Sequence, residues 1–267
     1  MSAQLGFDKC LPFLNVQFTS AGPALEAVEE LPRIVVTISR QTGCGAHEIA
    51  RQLSSFLSSH APNPSCPWMV FDRNLVEKVL EDHNLPSRLA HYMPEDYVSD
   101  LTDALDELLG AHPPSWALVR QTSETILRLA RRGNVILIGR GAHLVTSSIA
   151  GVLHVRLVGS FEKRVKHIQQ VFGLTAREAG KLIAVEDRGR KRYLKKYFDK
   201  DVDDPLLYHL TINTDLVPYE RAAWMIVEEV FDRIRARKLA DRQTPGRFSI
   251  PIATSDATAD EMPFRAG

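Results

Sequence analysis

A chain of 267 residues in which 33 basic side chains balance 33 acidic ones, 44% hydrophobic and 25% charged, has the makeup of an ordinary globular protein with one sizeable core. The balance argues against a general nucleic-acid binder or a polybasic membrane anchor, so any affinity for phosphate has to be local. With no charged start leading into an apolar run, and nothing near the roughly 18 consecutive apolar residues of a membrane span, a cytoplasmic protein without membrane contact is expected.

Residues 1–32 carry no sustained period and are broken by Pro12, Gly22, Pro23 and Pro32, which reads as an irregular lead-in. Short β-branched or apolar runs follow at Ile34–Ile38, Trp68–Phe71, Val135–Ile138, Val152–Val158 and Leu207–Ile212, giving five candidate strands. Between them, apolar residues recur at helical spacing: Ile49, Leu53, Phe56 and Leu57, then Leu75, Val76, Val79 and Leu80, then Leu101, Leu105, Leu108 and Leu109. Further helices are expected at about 115–131, 161–171, 175–197 and 218–236. Ser160 is placed to cap one of them, and Thr175 with Glu178 forms a capping box for the next. From Arg237 to Gly267 the composition is too polar and too rich in Pro and Gly for a core of its own, so a mobile tail is expected at 238–267.

Strand followed by helix, five times over, predicts a parallel sheet with helices on both faces, and in such a sheet a ligand sits beyond the carboxyl ends of the strands. The first strand runs into Ser39-Arg40-Gln41-Thr42-Gly43-Cys44-Gly45-Ala46-His47-Glu48, and the helical period starts at Ile49. A glycine-rich turn at a helix N-terminus offers unpaired N–H groups and a positive dipole end to an anion. The same two glycines could instead do no more than turn a strand into a helix. The turn is neither a full Walker sequence, which ends Gly-Lys-Ser/Thr where this chain has Gly45-Ala46-His47, nor a Rossmann fingerprint, whose third glycine position holds Glu48.

Ile38 to Gly45 with Glu48-Ile49-Ala50, then Phe71-Asp72-Arg73, then Ile138-Gly139-Arg140-Gly141-Ala142, resemble the cytidylate-kinase-like family of P-loop proteins. Asp187-Arg188 to Tyr193, Tyr208-His209-Leu210 and Ile212-Asn213-Thr214 are similar to the same family, and the motifs together span residues 34 to about 235. The resemblance implies an α/β, P-loop NTPase-like three-layer fold with a five-stranded parallel sheet and a helical insert. One domain over 33–237 is expected, with its insert at about 84–131 and a lid at about 175–200. The implied activity is transfer of the ATP γ-phosphate, with Mg²⁺, to a nucleoside monophosphate such as CMP. Thr42, Gly43, Cys44, Gly45, Ala46, His47 and Glu48 would then contact the nucleotide cofactor, and Asp72, Arg140, Asp187 and Arg190 the acceptor, with Asp72 also a candidate metal ligand. This chain departs from the family where the loop ends Gly45-Ala46-His47-Glu48 instead of Gly-Gly-Arg-Glu. Relative to cytidylate kinases proper, the loop lysine is Ala46, the acid ending the third strand is Ile138, and the acid after the Gly-Arg pair is Gly141.

Positive charge near the active edge must therefore come from elsewhere. Arg40 begins the loop and could stabilise charge on a transferring phosphoryl group, or be a plain surface arginine. Glu48 could equally be a first-turn acid that complements the helix dipole. Asp72 lies at the carboxyl end of the second strand and could cap a helix beginning at Arg73. The run Arg188-Gly189-Arg190-Lys191-Arg192-Tyr193-Leu194-Lys195-Lys196 could be a solvated face, or a segment closing over phosphates; Arg188 and Arg192, four apart, are its catalytic candidates. Cys44 reads as a small loop filler, Cys10, Cys44 and Cys66 as reduced thiols, and the scattered histidines form no zinc spacing. Tyr92, Tyr97 and Trp116 in the insert could stack on a base, but at helical spacing such aromatics are more often core. A non-catalytic nucleotide sensor, or a kinase for a non-nucleotide acceptor, would fit the same pattern.

Overall fold

The computed structural model describes residues 34–60, 67–72, 75, 78, 79, 82–84 and 115–243. In chain order the elements are β1 (Val35–Arg40), α1 (Ala46–Ser59), β2 (Met69–Phe71), α2 (Ser115–Arg132), β3 (Val135–Ile138), α3 (Ala142–Val145), β4 (Val152–Val158), α4 (Phe161–Phe172), α5 (Ala176–Phe198), a 3₁₀ turn (Pro205–Leu207), β5 (Leu210–Asn213) and α6 (Tyr219–Gln243). The five strands are all parallel, in the order β2-β3-β1-β4-β5. β1 is therefore central, and the chain leaves it toward β2 on one side before crossing to β4 on the other. The loop after β1 opens at that crossing, where a doubly wound sheet leaves a crevice.

Alternation along the strands sorts the core into layers. Val36 and Ile38 of β1 and Val155 and Leu157 of β4 face α1 and α6 through Ile49, Leu53, Ala222, Ile226 and Val230. Val35, Val135 and Leu137 face the opposite way, against Leu118, Ile126 and Leu129 of α2 and against Leu75 and Val79. The three-layer α/β arrangement follows from strands buried on both faces. That second face turns polar between β1, β4 and the approach to β5. Thr37, Ser39, His154 and Arg156 are all buried there.

The caps form as their sequences require. The Ser160 side chain accepts from the Lys163 N–H, and Thr175 and Glu178 close a reciprocal capping box. β1 runs on to Arg40, two residues past the expected Ile38, and two boundaries differ by more. β5 starts at Leu210 rather than Leu207, because Asp204 caps a 3₁₀ turn that opens with Pro205, a residue with no N–H for a ladder. α6 continues to Gln243, beyond the expected end at 236. Trp116 is 60% exposed, so it is not a core residue. The lead-in, the helix expected around 101–109, Tyr92, Tyr97, Cys10, Cys66 and the rest of the tail lie outside the described residues. Among those described, no helix is long and apolar enough to cross a membrane.

Candidate functional site

Beyond the carboxyl end of β1 the chain turns through Gly43 (φ +90°) and Gly45 (φ +72°) into α1. The turn is packed tightly by the protein itself. A Cβ on Gly45 would lie 2.3 Å from Cζ of Tyr219, and one on Gly43 would lie 2.8 Å from the Arg164 carbonyl oxygen. Glycine is thus required by left-handed backbone and by close approach together. Cys44 between them is buried, and burial pushes its thiol up to about 11, which fits a filler and not an activated nucleophile.

Thr42, at the start of the loop, is already engaged by anions from α5 through both its N–H and its hydroxyl. Thr42 donates its N–H to Asp187 Oδ1 (2.8 Å) and its hydroxyl to Glu186 Oε2 (2.9 Å). Two arginines lock this junction. Arg164 Nη1 donates to the Thr42 carbonyl (3.1 Å) and to Asp187 Oδ2 (2.6 Å), while its Nε reaches the Gly159 carbonyl (3.1 Å). Arg190 donates to the Thr42 hydroxyl, to Asp187 Oδ1 (3.1 Å) and to Glu186 Oε2 (2.8 Å). Gln41 fixes the other wall by accepting the Gly159 N–H at 3.0 Å. A negatively charged oxygen therefore sits on a loop N–H, which is the chemistry a phosphate oxygen would require.

A second cluster forms around Asp72 at the end of β2. His47 Nε2 lies 2.8 Å and Arg40 Nη2 3.7 Å from its carboxylate oxygens. Burial pushes the Asp72 carboxyl up, but the His47 hydrogen bond and the charges of Arg40, His47 and Arg140 outweigh it and hold the group below its usual range. Arg140 has φ +57° between Gly139 and Gly141, both also at positive φ; a non-glycine residue in that region carries strain of order 1 kcal/mol or more. The strand-to-α3 turn thus holds an arginine at the carboxyl edge of the sheet in an unfavourable backbone conformation.

The third feature is a cleft of about 230 Å³ lined by Arg40, Gln41, Arg156, Asp187, Arg188, Arg190, Lys191, Val202 and Asp203. Of the residues expected from sequence, Arg40, Asp187, Arg188 and Arg190 meet there. Arg192 does not: it is exposed and does not line the cleft, because one residue along a helix turns the side chain by about 100° and brings Lys191 there instead. Glu48 is occupied on its own helix, accepting from Arg51 (3.0 and 2.6 Å) and Gln52 (2.6 Å), so it behaves as a first-turn acid. Those bonds hold its carboxyl below the usual range. Arg156 and Arg164 are additional. A lone arginine inside the apolar run Val152–Val158 was the available signal for Arg156. Arg164 shares the buried face of α4 with Ile168, four residues on, a weaker signal.

Among the described residues no group of three His, Cys, Asp or Glu side chains could hold a metal alone. A magnesium ion bound with phosphates needs only one or two carboxylates, the rest being phosphate oxygens and water. Asp72 could serve as one such ligand if it gave up His47 or Arg40.

The model of the cytidylate kinase-like family matches residues 35–216. Among solved structures, an uncharacterized protein from Eubacterium ventriosum aligns with a TM-score of 0.54 and 17% identity over 75% of this chain and 99% of that one, a likeness of fold. A gluconokinase from Sinorhizobium meliloti aligns with a TM-score of 0.42 and 13% identity over 80% and 98% of the two chains. A uronate isomerase from Corynebacterium glutamicum is 31% identical over 111 residues, 42% of this chain and 21% of the isomerase. The chain thus spans about a fifth of the length of that curated relative.

Proposed function

This chain belongs to the cytidylate kinase-like family, and from that premise we propose that it is a nucleotide-binding phosphotransferase that moves the ATP γ-phosphate to a nucleoside monophosphate such as CMP, with Mg²⁺. The observation that carries this reading is the engagement of the Thr42 N–H by a carboxylate at the opening of the β1–α1 turn, beside a cleft lined by five cationic side chains. Thr42 to Glu48 form the phosphate cradle. Its backbone carries the anion, since Ala46 supplies no ammonium and the Glu48 carboxylate is held by Arg51 and Gln52.

Arg40, Arg188 and Arg190 stand in for the missing lysine. Arginine is suited to this, because its planar fork spreads charge over two phosphate oxygens. Residues 175–200 act as a lid: Asp187 and Glu186 hold the loop while it is free of ligand, and phosphate replaces them, freeing Arg164 and Arg190 to neutralise it. Arg140 contacts the acceptor nucleotide. Asp72 orients Arg40 and His47 and accepts from the acceptor or serves as one metal ligand.

A second reading, a nucleotide-binding sensor without turnover, draws on the same Ala46. Single-turnover assays with labelled ATP against a panel of nucleoside monophosphates test the proposal. Transfer to at least one of them is expected; tight ATP binding with no transfer to any acceptor would favour the sensor.

A further inference from the structure

Resting on the phosphotransferase reading, we infer that Arg156 forms the floor of an anion site that holds the phosphate group of the acceptor, and that Asp203 occupies this site as an internal placeholder. Arg156 projects from the middle of β4, its side chain only 5% exposed. Its Nη1 donates to Ser39 Oγ (2.9 Å) and its Nη2 to Asp203 Oδ1 (3.0 Å), and the guanidinium lies 5.9 Å from the centre of the Tyr208 ring. Two of its five N–H groups are used in these bonds, and Arg156 lines the cleft.

A purely structural ion pair explains this arrangement poorly. Burying a guanidinium is costly, and the return is greatest when the partner carboxylate is also removed from water. The Asp203 side chain is 52% exposed and shared with Lys191 Nζ at 3.1 Å, so it is a weak counter-ion for a buried charge. Five cations, Arg40, Arg156, Arg188, Arg190 and Lys191, line the cleft beside Asp187 and Asp203, while the other carboxylates paired with Arg40, Arg190 and Lys191 (Asp72, Glu186 and Asp201) lie outside its lining, so the side chains that face the cleft are predominantly positive. A like-charge excess around a confined space attracts anions. The volume, about 230 Å³, falls below the roughly 300–1,000 Å³ of sites that enclose a whole drug-sized ligand. It suits a phosphate monoester group, with the remainder of the acceptor outside.

The test is calorimetric titration of the full chain with inorganic phosphate, CMP, cytidine and ATP, comparing the parent with Arg156→Gln and Asp203→Asn. Arg156→Gln should weaken phosphate and CMP roughly tenfold or more, as expected for losing a charge-assisted bond, and leave ATP within about twofold. Cytidine, lacking the phosphate, should be insensitive to the substitution. Asp203→Asn removes the placeholder and should tighten phosphate by about threefold or more. Because Asp203 is half exposed, this variant decides the matter if Arg156→Gln does not fold. Phosphate binding that is undetectable in the parent, equal losses for ATP and CMP in Arg156→Gln, or unchanged or weaker phosphate binding in Asp203→Asn would each overturn the inference. Phosphate bound through Arg156 by a chain that takes neither CMP nor ATP would support the site and refute the nucleotide reading.

Discussion

Replacing Asp187 by alanine removes the anion that ties α5 to the β1–α1 loop. The carboxylate accepts from the Thr42 N–H at 2.8 Å, Arg164 at 2.6 Å and Arg190 at 3.1 Å. Arg164 has a side chain only 9% exposed and loses its carboxylate partner, while Arg190 keeps Glu186 and Thr42. Removing one partner of a fully buried pair costs about 3–5 kcal/mol, and a surface pair is worth about 0–1 kcal/mol. Asp187 is 27% exposed, which places the loss between those limits, at about 2–3 kcal/mol. For a domain of this size that corresponds to a fall in Tm of roughly 5–10 °C. Asp187→Asn, which keeps an acceptor for the Thr42 N–H but no charge for Arg164, should fall between parent and alanine variant. The same substitution clears the loop for an external anion. Thermal melts with and without pyrophosphate should therefore show a larger ligand-induced rise in the alanine variant than in the parent. A Tm within about 2 °C of the parent, or a smaller ligand-induced rise, would refute the view that this carboxylate holds the phosphate position.

Substitutions at three other positions, one with a compensating change at Tyr219, probe separate links. Arg188→Ala should cost about 2–4 kcal/mol of transition-state stabilisation in single-turnover transfer while leaving ATP affinity nearly unchanged, and equal turnover in both proteins would remove support for the arginine lid. Gly45→Ala should destabilise the fold by about 2–4 kcal/mol in urea unfolding, since its Cβ meets Tyr219 at positive φ, and adding Tyr219→Ala should recover part of the loss. If Gly45→Ala unfolds at the parent's urea midpoint, the close-approach argument is wrong. His154 is pushed down to about 3, first by burial and then by the charges of His209, His143 and Arg233. Its folded pKa lies below its unfolded value of about 6.5, so the unfolded chain binds the extra proton and stability falls as pH drops from about 6.5 toward 3. His154→Gln should reduce that slope by up to about 1.4 kcal/mol per pH unit, read from urea midpoints across pH 4–6. An unchanged slope would mean that His154 does not titrate this way.

Local sequence was enough for whatever depends on neighbours along the chain. Short apolar runs placed the strands, with β3 and β4 at their observed bounds, because a strand covered on both faces buries nearly every side chain and so reads as a continuous apolar run. Ser160, Thr175 and Glu178 capped their helices because a cap is satisfied within three or four residues. The glycines of the loop were legible because positive φ is a local demand.

What brought the site together was not local. Nothing near Thr42 announces that Asp187 and Glu186, some 145 residues later, will take its N–H and hydroxyl. The arginine run from 188 could be read as charge, but which members face the cleft depends on the rotation of α5, and that is set by Ala179, Ile183, Tyr193 and Leu194 packing beneath it. Arg156 is set beside Ser39 only by the register of β4 against β1. An isolated strand carries no information on its partner's offset, so the polar half of the sheet face, and the cleft above it, exist only once the strands have paired.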